Sequence, residues 1–332
     1  MTALPALGFL RQSRPRAEIH LLTGSLLEEV ASCSAPVDRV IAVPERDLTH
    51  NLRRVRLLGL TLRLRRERYD QVYLMHRVLP LRLMMLATGA GQRTGFGGSG
   101  TGLNRVVPFE TGAPEHDALR YARLMGWVGT SPLEMPCAAL PAEASRRALE
   151  LLGGSADRVA VNPGGGRSSI RNMDRKRWPP ERFLEIIRRL DSVGQATALV
   201  GSAGDRGVLG DLPHGLPPSS LDLIGRTSVL EAAAVLSHCR ALLTNDSGLM
   251  HLAGLVGTPT VALFGPTDPS RIGVFPASAR HRAVVPCSVP CHPCYPLGRG
   301  MDCGRADCML AIPVDRVWEE LRDLLDHGEP GR

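Results

Sequence analysis

Short apolar runs alternate along the chain with longer stretches in which apolar residues recur every three or four positions. The short runs predict strands buried on both faces, and the longer stretches predict helices that cover them. In the second half of the sequence, the predicted strands span residues 159–162, 196–200, 221–224, 241–244 and 260–264. The predicted helices of that half span residues 180–190, 229–237 and 314–325. This alternation is typical of a doubly wound α/β domain with a parallel sheet.

The first half shows the same alternation with less regular spacing. Its predicted elements are strands at 19–22, 40–43 and 71–74 and helices at 3–12, 25–31 and 51–67. Glycines are frequent between residues 89 and 108, which predicts a flexible loop, either an exposed connector or a lid over a cleft. The Gly153-Gly154-Ser155 run predicts a domain boundary. We therefore expect two Rossmann-like doubly wound domains facing a cleft, residues 1–152 and residues 153–332.

Composition narrows the class of protein. The 332-residue chain is 43% hydrophobic and 22% charged, which excludes collagen-like, disordered and coiled-coil proteins. No stretch approaches the roughly 18 uninterrupted apolar residues of a membrane span. The first residues also lack the basic segment of a secretory signal. These features predict a cytoplasmic protein.

Charge predicts an anionic partner. The formal net charge is +7, whereas an aromatic content of 4% argues against a nucleic-acid binder built on base stacking. Lys176 is the only lysine in the sequence. A single lysine among arginines indicates a position that requires a compact ammonium instead of a planar guanidinium, with chance as the alternative explanation. Arginines between residues 51 and 68 scatter around a helix. They predict a solvated, partly packed helix, with a helix lying on a membrane surface as the alternative.

One loop of the second half combines a strand end with a helix start. It runs from Thr244 to Ala253. Asp246 is predicted to be the helix N-cap, which leaves the N–H groups of Ser247 and Gly248 for an anion at the positive end of the helix. His251, one turn on, lies on the same face as Ser247. The alternative is a plain capped helix with a core histidine.

Two further loops follow predicted strands and so open on the same edge of the sheet. The first contains three successive glycines, residues 164–166, and then Ser168 and Ser169. Such a loop can form an anion-binding concavity, and Lys176 follows it just before a proline-started helix. The other is Phe264-Gly265-Pro266-Thr267. Together the three loops predict a ligand that contains a diphosphate.

These motifs resemble those of the heptosyltransferases, glycosyltransferase family 9. The similar motifs are Asp246-Ser247-Gly248…His251-Leu252-Ala253…Gly257-Thr258-Pro259-Thr260-Val261-Ala262-Leu263-Phe264-Gly265-Pro266-Thr267 and Lys176-Arg177-Trp178-Pro179. The resemblance implies the GT-B fold and an inverting, metal-independent transfer of heptose from ADP-heptose to the core of lipopolysaccharide or a related lipid-linked glycan. It implies no required cofactor, no nucleic acid as partner, and peripheral contact with the inner face of the plasma membrane.

The resemblance also implies roles for individual residues. Lys176 would stabilise the leaving diphosphate. The implied donor-binding residues are Ser168, Ser169, Asp205, Thr227, Asp246, Ser247, Gly248, Leu249 and His251.

The family normally begins with a strand and a Gly-Asp turn before a helix like Thr2-Ala3-Leu4-Pro5-Ala6-Leu7. In this sequence we expect that strand, and the aspartate that the family uses as general base, to be absent. Glu45 and Asp47, which follow a predicted strand, are possible substitutes. The absence gives a second hypothesis, a non-catalytic nucleotide-sugar-binding protein.

Five of the eight cysteines lie close together in the sequence. They are Cys287, Cys291, Cys294, Cys303 and Cys308. Their density is typical of a zinc or iron–sulfur site, but no histidine-plus-cysteine tetrad is clean. We expect reduced structural thiols, with a structural zinc as the alternative.

Overall fold

The computed structural model describes most of the chain. The described ranges are residues 1–45, 54–97, 102–109, 114–165, 173–295, 303 and 306–327. In the range 54–97, side chains are described from residue 58 onward. The contacts divide the chain into two compact units, Thr2–Glu134 and Met135–Arg332. The glycine run at 153–155 predicts a later boundary, but the helix Ala142–Leu151 that precedes it packs against a helix of the second unit, Val229–Ser237.

The second unit is built around a parallel sheet. Its strands are β6 (Val159–Asn162), β7 (Thr197–Leu199), β8 (Leu221–Asp222), β9 (Ala241–Asn245), β10 (Thr260–Leu263) and β11 (His281–Val284). Its helices are α6 (Ala142–Leu151), α7 (Pro180–Ser192), α8 (Val229–Ser237), α9 (Gly248–Val256), α10 (Pro269–Ile272), α11 (Asp307–Leu310) and α12 (Val314–His327). Short 3₁₀ turns lie at Asp174–Lys176, Ala203–Val208 and Leu212–Gly215.

The strand order fixes where a ligand would bind. The order is β11-β10-β9-β6-β7-β8, and every neighbouring pair is parallel. The chain therefore reverses direction across the sheet between β6 and β9, which is the switch point of a doubly wound sheet. In doubly wound folds, ligands bind outside the carboxyl ends of the strands at this point.

Aromatic and aliphatic side chains fill the space between this sheet and the helices α7 and α12. Trp178 and Phe183 are fully buried and meet edge to face, with ring centroids 5.1 Å apart. Ile186 and Leu190 continue the buried stripe of α7, and Leu321 faces them from α12. This core holds the segment before α7 firmly against the sheet.

The first unit contains shorter parallel sheets. Its strands are β1 (His20–Gly24), β2 (Arg39–Val43), β3 (Gln71–Leu74), β4 (Gln92–Phe96) and β5 (Arg105–Val107). Its described helices are α1 (Leu4–Ser13), α2 (Glu28–Ser34), α3 (Arg54–Arg66), α4 (Leu79–Thr88) and α5 (Asp117–Leu124). Within the described ranges, β1 and β2 form one sheet and β3, β4 and β5 form another.

The prediction of a single loop between residues 89 and 108 is wrong, because β4 and β5 lie in that segment. Its glycines serve close packing. A Cβ on Gly95 would lie 2.8 Å from the Leu103 side chain, and one on Gly102 would lie 2.3 Å from the carbonyl oxygen of Arg82. The glycines therefore allow close contacts of β4 with Leu103 and of the segment before β5 with α4.

Candidate functional site

Two side chains donate hydrogen bonds to the Asp246 carboxylate at the end of β9. It accepts a hydrogen bond from the Lys176 ammonium (Nζ–Oδ2, 2.6 Å) and one from the Thr267 hydroxyl (2.8 Å). The three residues come from three different loops at the carboxyl edge of the sheet. An ammonium has three donors, so this ion pair leaves donors of Lys176, whose side chain is 12% exposed, for an anionic group.

Asp246 is not the N-cap of α9, and that prediction is wrong. The N-cap is Ser247, and α9 begins at Gly248. The backbone N–H of Asp246 still donates to Leu263 on the neighbouring strand (3.1 Å), so Asp246 belongs to the sheet. Its carboxylate is directed to Lys176 and Thr267 instead of the first turn of the helix.

The first turn of α9 has room beside it. Ser247 makes no side-chain cap hydrogen bond to the helix, and in the described part of the chain a Cβ placed on Gly248 meets no atom within 4 Å. The N–H groups of a helix start and the positive end of its dipole favour an anion. Leu249 and His251 follow in the same helix and are half-buried.

Lys176 is held in place by the segment that follows it. The Trp178 N–H donates to the Asn245 side-chain oxygen (3.0 Å), and the indole N–H donates to the Ile312 carbonyl (3.0 Å). Arg182 donates to the same carbonyl (2.8 Å). The segment is thereby tied both to β9 and to the chain just before α12.

The glycine loop after β6 is fastened by Asp205. The Asp205 carboxylate accepts from the Gly165 N–H (3.0 Å) through one oxygen and from the N–H and hydroxyl of Ser202 (2.8 Å each) through the other. Gly165 has φ +89°, and a Cβ there would lie 2.8 Å from the Ser247 Cβ. Asp205 is only 5% exposed, so this geometry points to a positioning role.

The predictions made from the sequence do not include the network of buried polar side chains that joins β6 to β9. The Thr244 hydroxyl lies 3.1 Å from the Asn162 side-chain oxygen and 3.0 Å from the Ser247 hydroxyl. Asn245 donates to the carbonyls of Pro163 (3.0 Å) and Gly164 (2.9 Å). Asparagine at the ends of two otherwise apolar strands is the signal that could have found this group, since buried polar groups need partners.

The remaining predicted residues have different outcomes. Thr227 is half-buried in the loop after β8, two residues beyond Gly225, whose φ is +70°. Ser168 and Ser169 lie outside the described residues, as does Asp47. In the first unit, the Glu45 carboxylate accepts from the Leu26 N–H (2.5 Å) and the Ser25 hydroxyl (3.3 Å).

The cysteine-rich segment contacts the loop that carries Thr267. The Cys294 N–H donates to the Pro266 carbonyl (3.0 Å). Burial raises the pKa of Cys308 to about 11 and also raises the pKa of Cys294, and the nearby thiol of Cys291 adds to both shifts. All the cysteines are free, and the described part of the chain contains no group of three potential ligand side chains placed to hold a metal ion. Cys287, Cys291 and Cys303 are exposed.

The family of the chain is decided by its sequence match. The model of glycosyltransferase family 9 (heptosyltransferase) matches residues 57–302. The chain belongs to glycosyltransferase family 9. The resemblance found in the motifs is thus confirmed.

Curated members of glycosyltransferase family 9 match over part of their length. The lipooligosaccharide heptosyltransferase 2 of Haemophilus influenzae is 41% identical over 98 residues, 28% of this chain and 28% of the relative. The lipopolysaccharide heptosyltransferase 2 of Salmonella typhimurium is 32% identical over 155 residues, 45% of this chain and 43% of the relative. The matched regions therefore span less than half of either relative.

Solved structures of family 9 match nearly the whole chain. The Escherichia coli ADP-heptose lps heptosyltransferase II has a TM-score of 0.78 at 25% identity, covering 98% of this chain and 95% of that one. A family 9 glycosyltransferase from Veillonella parvula has a TM-score of 0.81 at 21% identity, covering 98% and 94%. The two units are Rossmann-like domains of the GT-B class, as predicted.

Proposed function

We propose that this chain transfers heptose from ADP-heptose to a lipopolysaccharide core or a related lipid-linked glycan. The observation that carries the proposal is the start of α9, which has open space beside it among the described residues, next to the Lys176–Asp246 ion pair. Membership of family 9 and the likeness to the E. coli ADP-heptose lps heptosyltransferase II support ADP-heptose as the donor.

The donor's diphosphate would lie over the first turn of α9. The N–H groups of Gly248 and Leu249 would bind its oxygens, with the remaining donors of Lys176 on one side and His251 one turn away. Asp246 would hold Lys176 and lie near the sugar. Thr227 would lie by the base, with Ser168 or Ser169 adding a hydroxyl.

The transfer would proceed with inversion and without a metal ion. The acceptor hydroxyl oxygen forms its bond to the anomeric carbon and gives up its proton to water. The bond from that carbon to the phosphate oxygen breaks, and its electron pair leaves with ADP. Negative charge then grows on the diphosphate, where the helix start and Lys176 oppose it from fixed positions. These two groups supply the positive charge that a divalent cation supplies in other transferases, and the sequence has no Asp-x-Asp motif.

A variant that adds one methyl group at the start of α9 tests the proposed donor site. Gly248→Ala places a Cβ that meets no neighbouring atom within 4 Å among the described residues, so the stability of the ligand-free protein should be unchanged or higher. If the diphosphate lies there, the affinity for ADP measured by calorimetry should fall about tenfold or more, as for a lost hydrogen bond to a charged group. The matched control is Gly207→Ala, another glycine with open space around its Cβ.

The outcomes of this test are distinct. Reduced ADP affinity in Gly248→Ala with normal affinity in Gly207→Ala supports the proposed site. Equal affinity in both variants places the diphosphate elsewhere. Binding of ADP by the wild type without transfer from ADP-heptose in a turnover assay would favour the nucleotide-sugar-binding protein over the enzyme.

A lipid-linked acceptor and a cytoplasmic location go together in this proposal. A nucleotide sugar is a cytoplasmic donor, and the basic net charge suits an anionic acceptor. Within the described ranges, no helix has both the length and the apolar character needed to cross a bilayer. The acceptor would therefore be reached at a membrane surface.

We propose that the cysteines between Cys287 and Cys308 are reduced thiols that pack the segment next to Thr267. A structural zinc at these cysteines is the alternative. Elemental analysis of the purified protein separates the two. Close to one equivalent of zinc per chain would establish a metal site, and its absence would support reduced thiols.

A further inference from the structure

Helix α4 is apolar on its outer face as well as on its inner face. Its inner residues, Met84 and Met85 among them, are buried in the core of the first unit. On the outer face, Leu79 is 57% exposed, Leu83 45% and Leu86 46%. A helix that is apolar all round is normally buried, so this face lacks the partner that its composition calls for.

The neighbouring helix extends the same surface. Helices α3 and α4 pack side by side, and α3 exposes Leu58 (59%) and Leu62 (49%), one turn apart. Eleven large hydrophobic side chains are exposed among the described residues, and six of them lie on α3, on α4 or at the residue just before α4. We call the exposed faces of these two helices the α3–α4 surface. Such clustering marks an interaction site, since single exposed leucines are usually scattered.

Arginines flank these leucines on helices whose own sequences contain no acidic residue. Arg63, Arg65 and Arg66 lie in the last turn of α3 and are exposed. Neither α3 nor α4 contains an aspartate or glutamate, and Glu67, just beyond α3, pairs with Arg39 (3.0 Å). The Arg65 guanidinium donates to the Ala87 carbonyl (3.3 Å) and so lies at the carboxyl end of α4.

We infer that the α3–α4 surface docks on a bilayer that contains anionic lipid. Leucines beside arginines are the combination that interfacial helices use, with apolar side chains among the acyl chains and cations at the phosphates. The inference adds a location to the proposed function. It does not depend on the donor site, because vesicle binding is measured without donor or acceptor.

Vesicle flotation with the full chain tests the docking. We expect binding to vesicles that contain phosphatidylglycerol, weaker binding to pure phosphatidylcholine vesicles, and a decrease at high salt. Leu83→Gln/Leu86→Gln should weaken binding about tenfold or more. Arg63→Gln/Arg66→Gln should weaken binding to the anionic vesicles about 25-fold.

The matched control is Leu310→Gln, which changes a leucine of equal exposure (46%) in the second unit and should bind as the wild type does. All variants should retain the wild-type circular dichroism spectrum and melting temperature, which shows that they are folded. Equal vesicle binding by wild type and both α3–α4 variants would overturn the inference, as would no binding by the wild type. Self-association of the wild type that Leu83→Gln/Leu86→Gln abolishes, without vesicle binding, would make the surface a protein interface instead.

Discussion

The Lys176 ammonium pairs with one oxygen of the Asp246 carboxylate. It lies 2.6 Å from an Asp246 oxygen that also accepts the Thr267 hydroxyl. The charge of an ammonium is compact, and its three donors rotate, so one can serve Asp246 while others stay available for a phosphate. The only lysine of the sequence thus stands at the contact that the proposed leaving-group role requires.

Lys176→Ala should lower turnover with ADP-heptose roughly a few hundred-fold, because it removes one preorganised charge from the leaving group. Arg175→Ala is the matched control, since it removes a positive charge from the same 3₁₀ turn. Steady-state kinetics of both variants provide the measurement. Unchanged kinetics in Lys176→Ala would exclude the leaving-group role.

At the level of elements, the site depends on how closely the loops after β6 and β9 approach each other. Gly165 meets Ser247 at their point of contact, and Asn245 fastens the two loops by hydrogen bonds. Asp205, from the segment after β7, holds Gly165 from the other side. The approach of the two loops brings Lys176 and Asp246 together beside the start of α9.

Gly165→Ala should therefore cost more stability than backbone strain alone. Its φ of +89° is strained for alanine, and the new Cβ would lie 2.8 Å from the Ser247 Cβ. Gly194→Ala has similar strain, at φ +77°, but no atom within 4 Å. Denaturant unfolding should show a larger loss for Gly165→Ala, by about 1–3 kcal/mol. Equal losses would show that the loops separate without cost.

The sequence predicts the elements of the second unit better than the details of the site. Its first five strands are predicted to within two residues, because buried parallel strands are continuous apolar runs. The strand β11, with the sequence His281-Arg282-Ala283-Val284, is at the sheet edge and lacks that pattern. It escapes prediction for this reason, as do β4 and β5, whose glycines predict a loop.

The same contrast holds for the site: features set by the local sequence are predicted, whereas contacts between residues far apart in the sequence are not. The grouping of the loops that carry Asp246, Lys176 and Thr267 is confirmed, because parallel strands end at one edge. The actual partner of Asp246 is 70 residues away in the sequence, and no local pattern distinguishes that ion pair from an N-cap. Asn162 and Asn245 escape prediction for a similar reason, since their partners are set by the strand order.

For the molecule as a whole, His281 links the stability of the second unit to pH. Burial, and to a smaller extent Arg280, lower its pKa to about 4. Its Nδ1 finds no hydrogen-bond partner among the described residues. The unfolded chain, with an ordinary histidine pKa near 6.5, binds the proton more readily than the folded chain.

Stability should therefore fall as the pH decreases from about 6.5 to about 4. His281→Phe removes the titrating group and should flatten this part of the curve of melting temperature against pH. The exposed His214 provides the matched control, and His214→Phe should leave the slope unchanged. A wild-type slope in His281→Phe would assign the acid sensitivity to other groups.

The Ile312 carbonyl receives hydrogen bonds from both Trp178, 134 positions earlier, and Arg182. The position of Lys176 therefore depends on contacts between the middle of the sequence and the segment just before α12. A shortened protein that stops before residue 312 would keep Lys176, Asp246 and α9, yet it would lose both the acceptor that locks the tryptophan and the core helix α12. Such a protein should bind ADP poorly, although every residue assigned to the nucleotide would still be present.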